Sequence, residues 1–189
     1  MKPEKMEALV QLLKKRGASK KPLTEAGLTD TDCKALGERL AASLPKKAPV
    51  ALKKAAAKGR AQIFCDGASR GNPGPASLGF TIILDEVEIA AEGRALGTLT
   101  NNQAEYLSLK AALESAGQLG LAKIDIAMDS ELVVRQVLGR YKVKNEKLKP
   151  LFADVMTLLR GFGDWNIRHI PRGENSRADA LANQALDSL

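Results

Sequence analysis

"IFCDGASRGNPGPASLGF", Ile63 to Phe80, decides how this chain of 189 residues is read. It opens as an apolar, β-prone run, stops on Asp66-Gly67, breaks into a glycine- and proline-rich turn, and then resumes as a second apolar run. Asp-Gly is a common way to leave a strand, so Asp66 has a plain reading as an Asx turn. A carboxylate at the end of a buried strand also stands where open α/β sheets keep their sites. The choice depends on what the rest of the chain brings to the same place.

Downstream, "SLGFTIILD" and "VEIAAEGRAL" read as a strand pair joined at the acidic turn Asp85-Glu86. "NNQAEYLSLKAALESAGQLG" reads as a helix, opened by Thr100 and Gln103 at capping-box spacing and closed by Gly117 and Gly120. "AKIDIAMD" is a fourth strand and "SELVVRQVLGR" a short helix. "NEKLKPLFADVMTLLRGFG" is a longer helix, "DWNIRHI" a fifth strand and "SRADALANQALDSL" a closing helix. The order β-β-β-α-β-α-α-β-α, a meander followed by crossover helices, predicts one mixed sheet covered by helices.

Upstream of "AQIFCD" the composition changes. Residues 1–60 carry 15 Lys/Arg against 6 Asp/Glu, whereas the rest carries 14 against 16, so the formal charge of +7 comes entirely from the first third. Residues 1–45 read as a basic helical module: Met6, Leu9, Val10, Leu12 and Leu13 form one apolar stripe, and Leu36, Leu40 and Leu44 another. "PKKAPVALKKAAAKGR", with six basic and no acidic residues, reads as a linker over 46–60, leaving 61–189 as the main domain. A basic appendage on a near-neutral domain suits a polyanionic partner, nucleic acid first. No apolar run reaches the roughly 20 residues of a membrane span, and no cleavable leader is visible. The two cysteines, Cys33 and Cys65, match no metal spacing, so a reduced, cytoplasmic protein is expected.

Four acidic residues fall at element ends. Asp66 closes the first strand and Asp129 the fourth; if these strands are parallel neighbours, both carboxylates leave the sheet at one edge. Glu105 falls in the first turn of the helix after the meander and Asp179 in the first turn of the last one. Converging carboxylates need a cation between them, and oxygen donors without His or Cys specify Mg²⁺ or Mn²⁺. Each has a local alternative: an Asx turn for Asp66, an N-cap for Asp129, a capping box with Ser176 for Asp179, and the helix dipole for Glu105.

"IFCDGASRGNPGPASLGF", "TNNQAEYLSLKAAL", "IDIAMDSELVVRQV" and "HIPRGENSRADALAN" resemble, in order and spacing, the successive motifs of type 1 ribonuclease H, over about residues 61–188. The resemblance implies an α/β ribonuclease H-like fold, with a five-stranded mixed sheet in the order 3-2-1-4-5. It implies hydrolysis of the RNA strand of RNA/DNA hybrids by two metal ions, Mg²⁺ with Mn²⁺ as substitute, leaving 5′-phosphate and 3′-hydroxyl ends. Asp66, Glu105, Asp129 and Asp179 match the family's metal-binding carboxylates. Asp66 would bridge the ions, with Glu105 and Asp129 on one and Asp179 on the other. His169, ten residues before Asp179, matches the catalytic histidine, and the following "PRGEN" reads as a loose loop. Gly67, Asn72, Asn101, Asn102 and Ser130 match positions that contact the substrate; asparagine can both donate to and accept from a 2′-hydroxyl. A monomer is expected.

The chain departs from some members in its short "LGRYKVKNEKLKP", where Lys142, Lys144, Lys147 and Lys149 replace a longer basic protrusion. That shorter form resembles the archaeal-like branch, some of whose members cut double-stranded RNA. A nuclease for DNA junctions or structured RNA, and a non-catalytic binding module on the same fold, are the alternatives. The second would be marked by a lost carboxylate.

Overall fold

The computed structural model describes residues 59–188. The basic module read over 1–45, and all of the linker read over 46–60 except its last two residues, lie outside them. β1 (Arg60–Ser69), β2 (Gly74–Leu84), β3 (Val87–Leu99), β4 (Lys123–Met128) and β5 (Asp164–His169) form one sheet in the order β3-β2-β1-β4-β5. β1 and β2, and β2 and β3, pair antiparallel; β4 runs parallel to β1 and β5 parallel to β4. This is the α/β ribonuclease H-like sheet expected from the sequence.

The helices are α1 (Asn101–Gln118), α2 (Glu131–Val137), α3 (Lys149–Leu159) and α4 (Ser176–Asp187). The capping box at α1 is formed: Thr100 Oγ1 accepts from the Gln103 amide at 3.4 Å, and Gln103 Oε1 accepts from the Thr100 amide at 3.1 Å. Gly120, at φ +74°, takes the left-handed position past the helix end that residues with a Cβ avoid. α1 packs on β1 and β2 with α3 beside it, and α4 packs on β2, β3 and β1. A methyl on Gly67 would meet α1, and one on Gly79 would meet α4. Since Gly67 pairs with Leu78 and Gly79 with Asp66, the two helices cover opposite faces. Ile63, Phe80, Ile82, Tyr106, Leu109 and Ile126 fill the main core, all fully buried.

The elements extend differently from the sequence reading in four places. β1 takes in Arg60 and continues through Asp66-Gly67 to Ser69, because β2 begins at Gly74 and pairs with it as far as Ser69–Ala76. β3 continues to Leu99, with a bulge opposite Ala76/Ser77 at which Gly97 has φ +80°. α3 starts at Lys149 rather than Asn145, with Pro150 in its first turn. "RGEN" is not a loose loop but a 3₁₀ helix, Arg172–Asn175, that leads into α4.

Candidate active site

Asp66 lies within β1 rather than at its tip, and Asp129 is the first residue beyond the parallel neighbour β4. Glu105 lies in the second turn of α1, not the first, and reaches the same place because α1 sits directly on β1. A Cβ on Gly67 would stand 2.2 Å from the Glu105 amide nitrogen. Only a glycine permits that approach, and its own amide donates to Glu105 Oε2 at 3.2 Å. One oxygen each from Asp66, Glu105 and Asp129 therefore falls within 4.8 Å of the others. Asp66 and Glu105 are each only 5% exposed.

Burial comes first among the forces on these acids. It and the neighbouring Asp129 and Asp179 push Asp66 up to about 7. Burial, with Asp66 and Asp129, holds Glu105 well above the usual carboxylate range. The same surroundings push the buried Cys65 thiol up, so it is an inert strand residue. Close, desolvated carboxylates without a matching cation are electrostatically unfavourable. A hard divalent cation offsets that repulsion, and the all-oxygen donor set fits one.

The fourth carboxylate, Asp179, stands beside this trio. Its Oδ1 accepts from Arg172 at 2.5 Å and its Oδ2 from Asn183 Nδ2 at 3.0 Å. It is in the first turn of α4 as read, but it caps nothing: Asn175, not Ser176, is the N-cap. His169 ends β5, exposed, in register with Met128 next to Asp129. Asp66, Glu105, Asp129, Ser130, Asn101 and Arg172 are among the residues lining an open cleft of about 360 Å³, and Gly67 lines it too. Asn72 Oδ1 accepts from the Asn101 amide at 3.2 Å, tying the β1–β2 turn to the start of α1. Asn102 is half-buried beside it.

Two residues that the sequence reading passed over belong to this assembly. Arg172 pairs with Asp179 and pulls against the rise at Asp66 and Glu105. Asn175, 1% exposed, donates from Nδ2 to Asp129 Oδ1 at 2.8 Å and to the Cys65 carbonyl at 3.0 Å. The signal available for both was their place in "PRGEN", between His169 and Asp179.

Comparison with known proteins agrees with this geometry. Residues 64–185 match the family described as Reverse transcriptase-like. Ribonuclease HI of Halobacterium salinarum is 48% identical over 130 residues, covering 68% of this chain and 65% of that protein, just under two thirds of its length. The crystal structure of RNase H1 from Halobacterium salinarum NRC-1 superimposes with a TM-score of 0.68 at 46% identity, over 69% of this chain and 100% of that one. LC11-RNase H1, isolated from compost by a metagenomic approach and solved in complex with an RNA/DNA hybrid, gives 0.65 at 40% identity, over 68% and 97%. The chain belongs to the ribonuclease H family.

Proposed function

We propose that this chain is an endoribonuclease that hydrolyses the RNA strand of RNA/DNA hybrids, leaving 5′-phosphate and 3′-hydroxyl ends. The observation that carries the reading is the convergence of Asp66, Glu105 and Asp129 within 4.8 Å, from three different elements, at one edge of the sheet. Two Mg²⁺ ions with substrate present, or Mn²⁺ in their place, would supply Lewis-acid stabilisation of the phosphate and an activated water for in-line displacement.

The chain's own residues divide the remaining work. Asp66, central in the trio, would be the shared ligand, with Glu105 and Asp129 helping to hold one ion and Asp179, here paired with Arg172, the other. The burial of Asp66 and Glu105 keeps these two donors fixed before substrate arrives. His169, exposed beside Asp129, moves a proton at the leaving 3′-oxygen. Gly67, Asn72, Asn101, Asn102 and Ser130 contact the substrate backbone, with the asparagine carboxamides matching the donor and acceptor of a 2′-hydroxyl. LC11-RNase H1, bound to an RNA/DNA hybrid, supports the choice of substrate.

The full chain is read as a cytoplasmic monomer in which residues 1–45, tethered through 46–60, add phosphate contacts to the main domain. Among the described residues no helix is long and apolar enough to cross a membrane. Deleting residues 1–58 is expected to weaken hybrid binding and flatten its salt dependence.

The test is strand-specific cleavage of an end-labelled RNA/DNA hybrid with Mg²⁺ or Mn²⁺, beside matched double-stranded RNA, single-stranded RNA and DNA duplex. RNA-strand cleavage of the hybrid supports the reading. Cleavage of double-stranded RNA at an equal rate widens the substrate class. Binding of hybrid without cleavage in either metal replaces the enzyme by a binding module.

A further inference from the structure

We propose that Asn175 is a positioning residue of the cation site, whose side-chain amide fixes the carboxylate of Asp129 against Asp66 and Glu105. The inference rests on the cation site proposed above. Asn175 is not a ligand in this account; it acts through Asp129.

The local chemistry of Asn175 is unusual for its position. An N-cap asparagine ordinarily turns its oxygen toward the first amides of the helix. Here the N-cap of α4 makes no side-chain cap bond. Both N–H groups of Nδ2 are instead directed at acceptors, the Cys65 carbonyl at 3.0 Å and Asp129 Oδ1 at 2.8 Å. A backbone carbonyl and a carboxylate offer no proton in return, so flipping the amide would set oxygen against oxygen. The price of this orientation is that the buried Oδ1 finds no donor among the described residues. A forgone helix cap and an unmatched acceptor are both unfavourable, and the bridge is what the fold retains in exchange.

The bridge sits where backbone pairing has run out. The β1–β4 ladder reaches Phe64–Ala127 and goes no further, while Cys65 and Asp129 lie just beyond it. Asn175 clasps the two strands at that point, immediately next to Asp66 in one and at Asp129 itself in the other. A hydrogen bond to one carboxylate oxygen also restrains rotation of the group, so that the other oxygen is presented in a set direction. Outer-shell donors of this kind typically govern metal affinity by about 10–100-fold. Because Asn175 begins α4, the same amide locates the helix that carries Asp179.

The experiment is calorimetric titration of Mn²⁺ alone into the full chain, comparing wild type, Asn175→Ala and Leu113→Ala. Leu113 is fully buried in α1, eight residues beyond Glu105 and so ~12 Å further along the helix, and its variant removes core packing away from the cation site. Asn175→Ala is expected to bind Mn²⁺ about tenfold more weakly or worse, and to need correspondingly more Mn²⁺ for half-maximal hybrid cleavage. KM for hybrid at saturating Mn²⁺ is expected to stay within about twofold, as befits a residue that touches no substrate. Leu113→Ala is expected to lower urea stability and leave Mn²⁺ affinity alone.

Wild-type Mn²⁺ affinity in Asn175→Ala, with cleavage intact, overturns this inference and leaves the enzymatic reading standing. Mn²⁺ binding that Asn175→Ala weakens, in a chain that cuts no hybrid, does the reverse. No Mn²⁺ binding by wild type overturns the inference too. Should Asn175→Ala not fold, NMR of the wild type decides: the Asn175 side-chain amide signals should shift during Mg²⁺ titration with the midpoint of the Asp129 backbone amide. Signals that stay still while the site saturates overturn the proposal.

Discussion

Strand β4 carries an acidic cluster at each end, and the two are built on opposite principles. Near its start, Asp125 accepts from Arg60 at 2.8 Å, and the same guanidinium also pairs with Asp164 of β5. These side chains are between a third and half exposed, so water and the arginine share the compensation. At the far end, Asp129 meets Asp66 and Glu105 in a largely buried corner, where the two arginines lining the cleft are paired elsewhere, Arg172 with Asp179 and Arg70 with Asp187. The first cluster is complete as it stands and reads as a fastening of three strands. The second is acidic in excess, which is a liability for stability and the condition for gathering cations. Three residues of β4, Ile126 to Met128, separate Asp125 from Asp129.

The largest expected break in this comparison is catalytic. Asp129→Asn should lower hybrid cleavage by about 10³-fold, ~4 kcal/mol of barrier, because it removes a charged donor from the cation site. Asp125→Asn, four positions earlier and within β4, should stay within about twofold. Equal effects on strand-specific cleavage would erase the distinction between the ends.

Next comes packing. Gly67→Ala forces a methyl against the α1 backbone at 2.2 Å from the Glu105 amide. Neither backbone can yield cheaply, so urea unfolding should show a loss of about 3 kcal/mol, together with weakened Mn²⁺ binding as Glu105 is displaced.

Smaller, and opposite in sign, is the effect of neutralising an acid. Asp66 is raised to about 7 by burial and by Asp129, so the folded state binds its proton more tightly than the unfolded chain does. Folded stability in EDTA should therefore be highest near pH 4 and fall as pH rises toward 7 and just beyond. Asp66→Asn should remove much of that fall, making the chelated protein about 2 kcal/mol more stable than wild type at pH 8. Mn²⁺ should flatten the wild-type profile. A wild-type profile in EDTA that rises over this range would contradict the assignment.

Smallest of all, Arg60→Ala should cost a little thermal stability, less at high salt, and leave cleavage within about twofold, since its ion pairs are exposed.

Sequence made the sheet legible because its signals were local: apolar runs, the Thr100–Gln103 box and the Asp85-Glu86 turn each act over a few residues. Asp66 and Asp129 could be brought together by assuming parallel neighbours. What was not legible depends on partners distant in the chain. Asp66-Gly67 looked like a stop, yet β2 continues the pairing past it to Ser69, and nothing local in "GASRGNPGP" announces that. Gly67 was read for its contact with a substrate, whereas its amide already serves Glu105. Asn175 sits in "PRGENSRAD", polar throughout, where composition argues for exposure; its burial follows only from where β1, β4 and α4 meet.

That meeting has a consequence for the order of events during synthesis. The hydrogen bond from Asn175 to Cys65 closes a separation of 110 residues, and Ser77 Oγ donates to the Ala182 carbonyl across 105. α4 lies so close to β2 and β3 that Gly79 and Gly93 have no room for a side chain beneath it. A ribosome that has already released the meander, α1 and β4 has thus delivered three of the four acids, but neither the clasp that aligns two of them nor the helix that bears the last. The acidic cluster therefore stays incomplete until α4 has packed onto β2 and β3.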